Sequence, residues 1–335
     1  MALSVNAIQQ IVGRERRGRV SQLVWCGGGC FDSRRRVNSD VRRFPLHAQT
    51  EERNIMGLKQ SMSIFTVLAP LLFLVTLASS GTQQDQLVIS TPEEFKEEFE
   101  SVPCKDEDRL NAVNVLFEKM GATQSDISIE KYKNVENLVV RKQGASEEMI
   151  VIGAHYDKVP EGCGALDNWT GIVTLARLYK SLRNQPLKKT IVFVAFGKEE
   201  KGLIGSRAMV EAIDKDHVAQ YCEMINFDSL GLAMPQVADN MSSKKLGSFA
   251  ADVAKELKVP FNHASIEGAD ADSSSFIGKK IPAVTIHGMT NEWPTILHSR
   301  NDQPAKVKPV SVYLGYRLAL AMVIRLDNLA CGEYR

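Results

Sequence analysis

The chain has no internal repeat and no low-complexity tract, so neither a repeat array nor a compositionally disordered segment organises it. It has almost no net charge either, with 41 Lys and Arg against 40 Asp and Glu. That balance hides an asymmetry. Residues 1–80 hold 11 basic and 5 acidic residues, so the 30 basic and 35 acidic residues that remain leave the body at −5. A mildly acidic body lacks the basic face that grips nucleic acid, and no nucleic-acid partner is expected. Long apolar runs are scarce as well. Ile64 to Leu77 is uncharged for 14 residues, but it contains Pro70 and falls short of the ~20 residues that span a bilayer. Cysteine is sparse, and Cys26 and Cys30 flank three glycines without a second Cys or His pair nearby, which excludes a zinc ribbon there. What is present is a 44% hydrophobic chain of 335 residues with an ordinary charge fraction: a globular protein with a sizeable core, in one large domain or two smaller ones.

Read from Met56, the segment Met-Gly-Leu-Lys-Gln-Ser-Met-Ser, the apolar run and the small residues Ala78, Ser79, Ser80 and Gly81 have the three regions of a secretory signal peptide, 56–80. An uncleaved signal anchor in a membrane is the alternative. Residues 1–55 are Arg-rich and aperiodic. They read as an N-terminal extension, either organellar targeting sequence or sequence upstream of a start at Met56; the intact signal peptide favours the second. The body, 86–335, is then expected outside the cytoplasm, secreted or periplasmic, with no stable membrane partner. It keeps Cys104, Cys163, Cys222 and Cys331, for which three disulfide pairings or buried free thiols are open.

Thr91-Pro92-Glu93-Glu94 predicts a helix start with a capping box. A second helix is expected over about Glu107 to Met120, and a strand over Asn137 to Arg141. From there strand and helix alternate: strand Met149 to Ile152, helix Thr170 to Leu182, strand Thr190 to Phe196, helix Ser206 to Ile213. Strand Met224 to Phe227, helix Ser243 to Leu257, strand Ile281 to Ile286 and helix Val310 to Leu326 complete the order. Alternation of this kind predicts an α/β single domain, a mostly parallel central β-sheet with helices on both faces.

Four strand ends carry chemistry: His155 with Asp157, Glu199 with Glu200, Asp228, and after a longer loop His298. Asp167 lies on the loop after the first. Open α/β sheets bind ligands beyond the carboxyl ends of their strands. His155, Asp167, Glu200, Asp228 and His298 suit a two-zinc site of imidazoles and carboxylates, in which Asp167, on a short loop between the others, is the natural bridge. Asp157 could orient the His155 ring. Two adjacent glutamates do not easily enter one coordination sphere together, so one is expected to bind metal and the other to act as general base.

These residues resemble a known family. His155-Tyr-Asp157, Leu166-Asp167-Asn168, Phe196-Gly-Lys-Glu199-Glu200-Lys-Gly-Leu-Ile-Gly-Ser206, Asn226-Phe-Asp228-Ser-Leu-Gly and Leu297-His298-Ser-Arg-Asn-Asp302 look like the di-zinc aminopeptidases of the bacterial leucyl aminopeptidase and aminopeptidase Y type, relatives of the glutaminyl cyclases. The resemblance covers about Asn137 to Asp302. It implies a zinc-peptidase fold and two Zn2+ per chain: one on His155 and Asp228, the other on Glu200 and His298, with Asp167 bridging. It also implies Glu199 as base, Asp157 as partner of His155, and peptides with a free N-terminus as substrates. Two alternatives stand beside it, a glutaminyl cyclase and an inactive peptidase-like binding ectodomain. Asn168-Trp-Thr-Gly after Asp167, and Leu297 before His298, resemble the peptidases rather than the cyclases.

Two departures are visible. Ala271-Asp272-Ser273 stands before Phe276 where relatives often show Ser-Asp-His, and no tyrosine lies between Phe261 and His298 where some relatives supply one to the tetrahedral intermediate. Oxyanion stabilisation is left to the metals, to His287 or to Trp293. His287, at a strand end, reads equally as a substrate contact or as packing. His217 and His263 read as surface residues. Of the sequons at Asn168 and Asn240, the first adjoins a proposed ligand, so only Asn240 is a candidate acceptor.

Overall fold

The computed structural model describes residues 87–335; the expected signal peptide, the extension before it, Cys26 and Cys30 lie outside the described residues. The first helix among the described residues, α1 (Pro92–Glu100), begins with the expected capping box: Glu94 N–H donates to Thr91 Oγ1, and Thr91 N–H donates to the Glu94 carboxylate at 2.7 Å. After α2 (Asp106–Lys119) come β1 (Ile127–Tyr132) and β2 (Val135–Lys142). Then follow β3 (Met149–His155), α3 (Thr170–Leu182), β4 (Thr190–Phe196), α4 (Ile204–Ala212), β5 (Tyr221–Phe227) and β6 (Gln236–Ala238). Last are α5 (Lys244–Leu257), β7 (Asn262–Ala264), α6 (Asp272–Gly278), β8 (Ala283–His287) and α7 (Pro309–Leu326).

One eight-stranded sheet runs in the order β1-β2-β4-β3-β5-β8-β6-β7. Its centre, β4-β3-β5-β8, is parallel, as the alternation predicts. Antiparallel pairing enters at β1-β2, β2-β4 and β6-β8, so the sheet is mixed and mainly parallel. Side chains alternate between its faces, and both faces are dry. Ile150, Ile152, Ile191 and Phe193 face a large cluster with residues of α1, α2, α3, α5 and α7. Val151, Val192, Val194 and Phe196 face a smaller one containing Met209 and Val210 of α4 and Phe276 of α6. This two-sided burial explains why Thr190 to Phe196 reads as an unbroken apolar run.

Among the described residues α7 is the one helix long and apolar enough to cross a membrane, but 72% of that window is buried. Its Leu318, Leu320 and Met322 belong to the large core. Arg177 of α3 ties α1 to the body through Glu94 and Glu98, at 3.1 and 3.0 Å. The four cysteines form Cys104–Cys163 and Cys222–Cys331, which settles a pairing that the sequence leaves open.

Candidate metal centre

The parallel strands deliver their carboxyl ends to one edge. Register pairs His155 with Phe196, and Phe227 with Ile286, so the residues just beyond those positions meet there. His155 Nε2 lies 3.1 Å from Asp167 Oδ1, 3.7 Å from Asp228 Oδ1 and 3.9 Å from Glu199 Oε2. His298 arrives from the loop after β8 with positive φ, and its Nε2 lies 3.1 Å from Asp167 Oδ2 and 3.1 Å from Glu200 Oε2. Asp167 therefore stands between the two imidazoles, one carboxylate oxygen toward each. Ligand atoms of His155, Asp167 and Glu200 all lie within 4.8 Å of one another. All five expected ligands and Glu199 are brought together.

Asp157 meets the His155 ring through both its carboxylate and its backbone. Its carboxylate stays 3.7 Å from His155 Nδ1, while its backbone carbonyl accepts from that nitrogen at 3.2 Å. Donation to a carbonyl puts the ring proton on Nδ1 and leaves the Nε2 lone pair facing the cluster. The Asp157 carboxylate also accepts the N–H groups of Glu199 at 2.9 Å and Glu200 at 3.3 Å, fixing the turn that carries both glutamates.

The site holds more negative charge than the protein itself compensates. Burial pushes Glu199, Glu200 and Asp228 above the ordinary carboxylate range, and pushes Asp272 up to about 7. Burial also works upward on Asp167, but hydrogen bonds from His155 and His298 hold it below that range. His298 is pulled up to about 10 by hydrogen bonds to Asp167 and Glu200. Glu200 Oε1 is buried without a hydrogen-bond partner. Four carboxylates crowded on two imidazoles, with an orphaned oxygen among them, are a donor set that a divalent cation would satisfy. Mixed N and O ligands suit zinc.

Two supporting roles were not legible in the sequence. Arg109 of α2 is fully buried, lies over the Trp169 ring, and donates to the carbonyls of Tyr156, Cys163 and Gly164, bracing both ligand loops. The Asp302 carboxylate accepts the N–H groups of Leu166 at 2.7 Å and Asp167 at 3.1 Å. Asn168 is spent within the fold, since its amide bonds Phe227, Gly171 and Ser229. Asn240 also pairs with both backbone groups of Ile266 through its amide. His217 and His263 are exposed as expected, each beside an aspartate. A cavity of about 380 Å³ opens over the cluster, walled on its apolar side by Met241, Ile266, Met289, Trp293 and Leu297.

A mainly parallel α/β sheet with imidazoles and carboxylates gathered beyond its strand ends is the architecture of a metal-dependent peptidase. The chain belongs to Peptidase family M28, whose model matches residues 137–323. It is 36% identical over 109 residues to the probable lipoprotein aminopeptidase LpqL of Mycobacterium tuberculosis, covering 32% of this chain and 22% of that protein. Its fold is similar to that of BSAP, a zinc aminopeptidase from Bacillus subtilis (TM-score 0.52, 21% identity, 57% of this chain and 49% of that one). It is also similar to Fimbriiglobus ruber glutaminyl cyclase (TM-score 0.61, 15% identity, 71% of this chain and 96% of that one). The chain spans about a quarter of the length of the curated relatives it matches.

Proposed function

We propose that this chain is an exported, zinc-dependent aminopeptidase that releases the amino-terminal residue from peptides with a free N-terminus. The observation that carries the reading is Asp167, whose two oxygens stand 3.1 Å from the Nε2 atoms of His155 and His298. In this reading His155 and Asp228 would hold one Zn2+, His298 and Glu200 would hold another, and Asp167 would serve both. Bound zinc would polarise the scissile carbonyl and acidify water at neutral pH. Glu199, raised by burial and free of a short ion pair, takes a proton from the attacking water and returns it to the departing nitrogen. Asp157 keeps Glu199 and Glu200 apart in role by fixing their backbone. The apolar cavity wall would shelter the substrate's first side chain from water.

Export is supported by the 56–80 pattern and by two disulfides, which persist in oxidising compartments. The test of function is incubation of the zinc-loaded protein with unblocked, amino-acetylated and amino-terminal-Gln peptides, with products read by mass. Single residues released only from unblocked peptides are expected. Loss of ammonia from the Gln peptide without cleavage would replace this reading with the cyclase, and inertness toward all three with a binding protein.

A further inference from the structure

His287 is the last residue of β8, and the β5–β8 register sets it one strand across from Asp228. Thr285 and His287, two apart on the strand, both line the cavity over the acidic cluster. The His287 side chain is 98% buried, at 2% exposure, and its Nδ1 accepts the Met289 N–H at 3.3 Å. An accepting Nδ1 in a neutral ring leaves the proton on Nε2. That Nε2 is buried and has no hydrogen-bond partner among the described residues. Burial lowers the ring's pKa to about 4, with no neighbouring charge opposing it, so the ring is neutral at physiological pH.

An unpaired donor inside a cavity wall costs stability unless something else gains from it. The other side-chain donors lining the cavity are engaged elsewhere or less buried. Ser229 Oγ bonds Asp228, Thr285 Oγ1 bonds Ser273 and Asn226, and His298 bonds Asp167 and Glu200. Arg207 is exposed and Trp293 half-buried, and no tyrosine lines the cavity among the described residues. The sequence leaves the oxyanion donor open between His287, Trp293 and the metals; the geometry favours the first.

We propose that His287 is a catalytic residue that donates a hydrogen bond from Nε2 to the scissile carbonyl oxygen as negative charge builds on it. The proposal rests on the peptidase reading above and adds a donor that this reading does not supply. A neutral N–H suits the task, because it stabilises developing charge without first forming a buried ion pair with the carboxylates. No bond to His287 forms or breaks, and the ring keeps its proton throughout.

The experiment compares wild type, His287→Gln and His287→Leu in the zinc-loaded protein. It measures kcat and KM on leucine 4-nitroanilide, and affinity for leucine and for the phosphonic-acid analogue of leucine, whose tetrahedral oxygens mimic the attacked carbon. Zinc content and thermal unfolding verify that each variant is folded and loaded. His287→Leu is expected to lower kcat about 10²-fold with little change in KM, the usual cost of one lost oxyanion donor. It should weaken the phosphonate far more than leucine, and His287→Gln, which keeps a donor, should fall between. Nitrogen-15 NMR of histidine-labelled protein should place the proton on Nε2. A proton on Nδ1, a variant within about threefold of wild type, or equal losses for leucine and phosphonate would each overturn the proposal. If wild type hydrolyses no unblocked peptide or anilide, the peptidase reading fails and the role of His287 falls with it; an active wild type with unaffected variants overturns the His287 assignment alone.

Discussion

Glu199 and Glu200 are adjacent in sequence, yet their carboxylates sit against different partners, so their variants should fail differently. Glu200 reaches His298 at 3.1 Å, whereas the nearest imidazole nitrogen to Glu199 is 3.9 Å away. Glu199→Gln is expected to keep its zinc and lose kcat by roughly 10²–10⁴-fold, with KM little changed. Glu200→Gln should instead shed part of the zinc and regain some activity when zinc is added. Elemental analysis beside steady-state kinetics separates the two; the opposite pattern would exchange their roles. Asp302 gives a third case. Asp302→Asn can accept only through its single carbonyl oxygen, so one of the Leu166 and Asp167 N–H groups loses its partner. Zinc retention on dialysis should drop although Asp302 is no proposed ligand. The clustering itself was legible because histidines and carboxylates at successive strand ends are a chemical pattern. Arg109 and the task of Asp302 were not, because both act on backbone carbonyls and amides that no sequence motif marks.

At the scale of elements, legibility followed burial and length. Thr190 to Phe196 and Thr170 to Leu182 match β4 and α3 residue for residue, since each has a long apolar pattern bounded by polar or proline-containing turns. β1 escaped notice because it is an edge strand, half exposed, with Glu130 and Lys131 in it. β6 and β7 are three residues each, and α6 seven, too short for periodicity to register. The disulfides divide in the same way between framework and site. Cys222–Cys331 fastens the segment after α7 to the start of β5, at the opposite end of that strand from Asp228. Replacing both with Ser should cost about 2–4 kcal/mol in urea unfolding and leave kcat of the folded enzyme unchanged. Cys104–Cys163 adjoins the Asp167 loop, where Cys163 N–H donates to the Asp302 carbonyl and the Cys163 carbonyl accepts from Arg109. Its double Ser variant should lose comparable stability and, in addition, zinc affinity. Equal zinc retention in the two double variants would dissociate this bridge from the site.

For the molecule as a whole, the alternation of strand and helix was enough to foresee a mainly parallel sheet covered on both faces, but not the antiparallel margins that frame it. Nor does alternation reveal where burial traps charge away from the site. Glu223 on β5 is such a place: 1% exposed, with Oε2 unpartnered. Burial pushes its pKa up to about 7, against the partial opposition of Lys189 and Arg335. A carboxyl whose folded pKa exceeds its unfolded value binds its proton more tightly when folded. Its favourable contribution is complete below the unfolded pKa near 4.5 and is lost as pH rises toward and past 7. The full span corresponds to a few kcal/mol at ~1.4 kcal/mol per unit. Glu223→Gln, isosteric and uncharged, should remove this dependence, so the stability gap between variant and wild type should move in the variant's favour from pH 5 to pH 8. Urea unfolding at the two pH values, with zinc held saturating in both proteins, measures that gap. A gap that stays constant, or moves toward wild type as pH rises, would mean that Glu223 is ionised in the folded protein and stabilised by Lys189 and Arg335 after all.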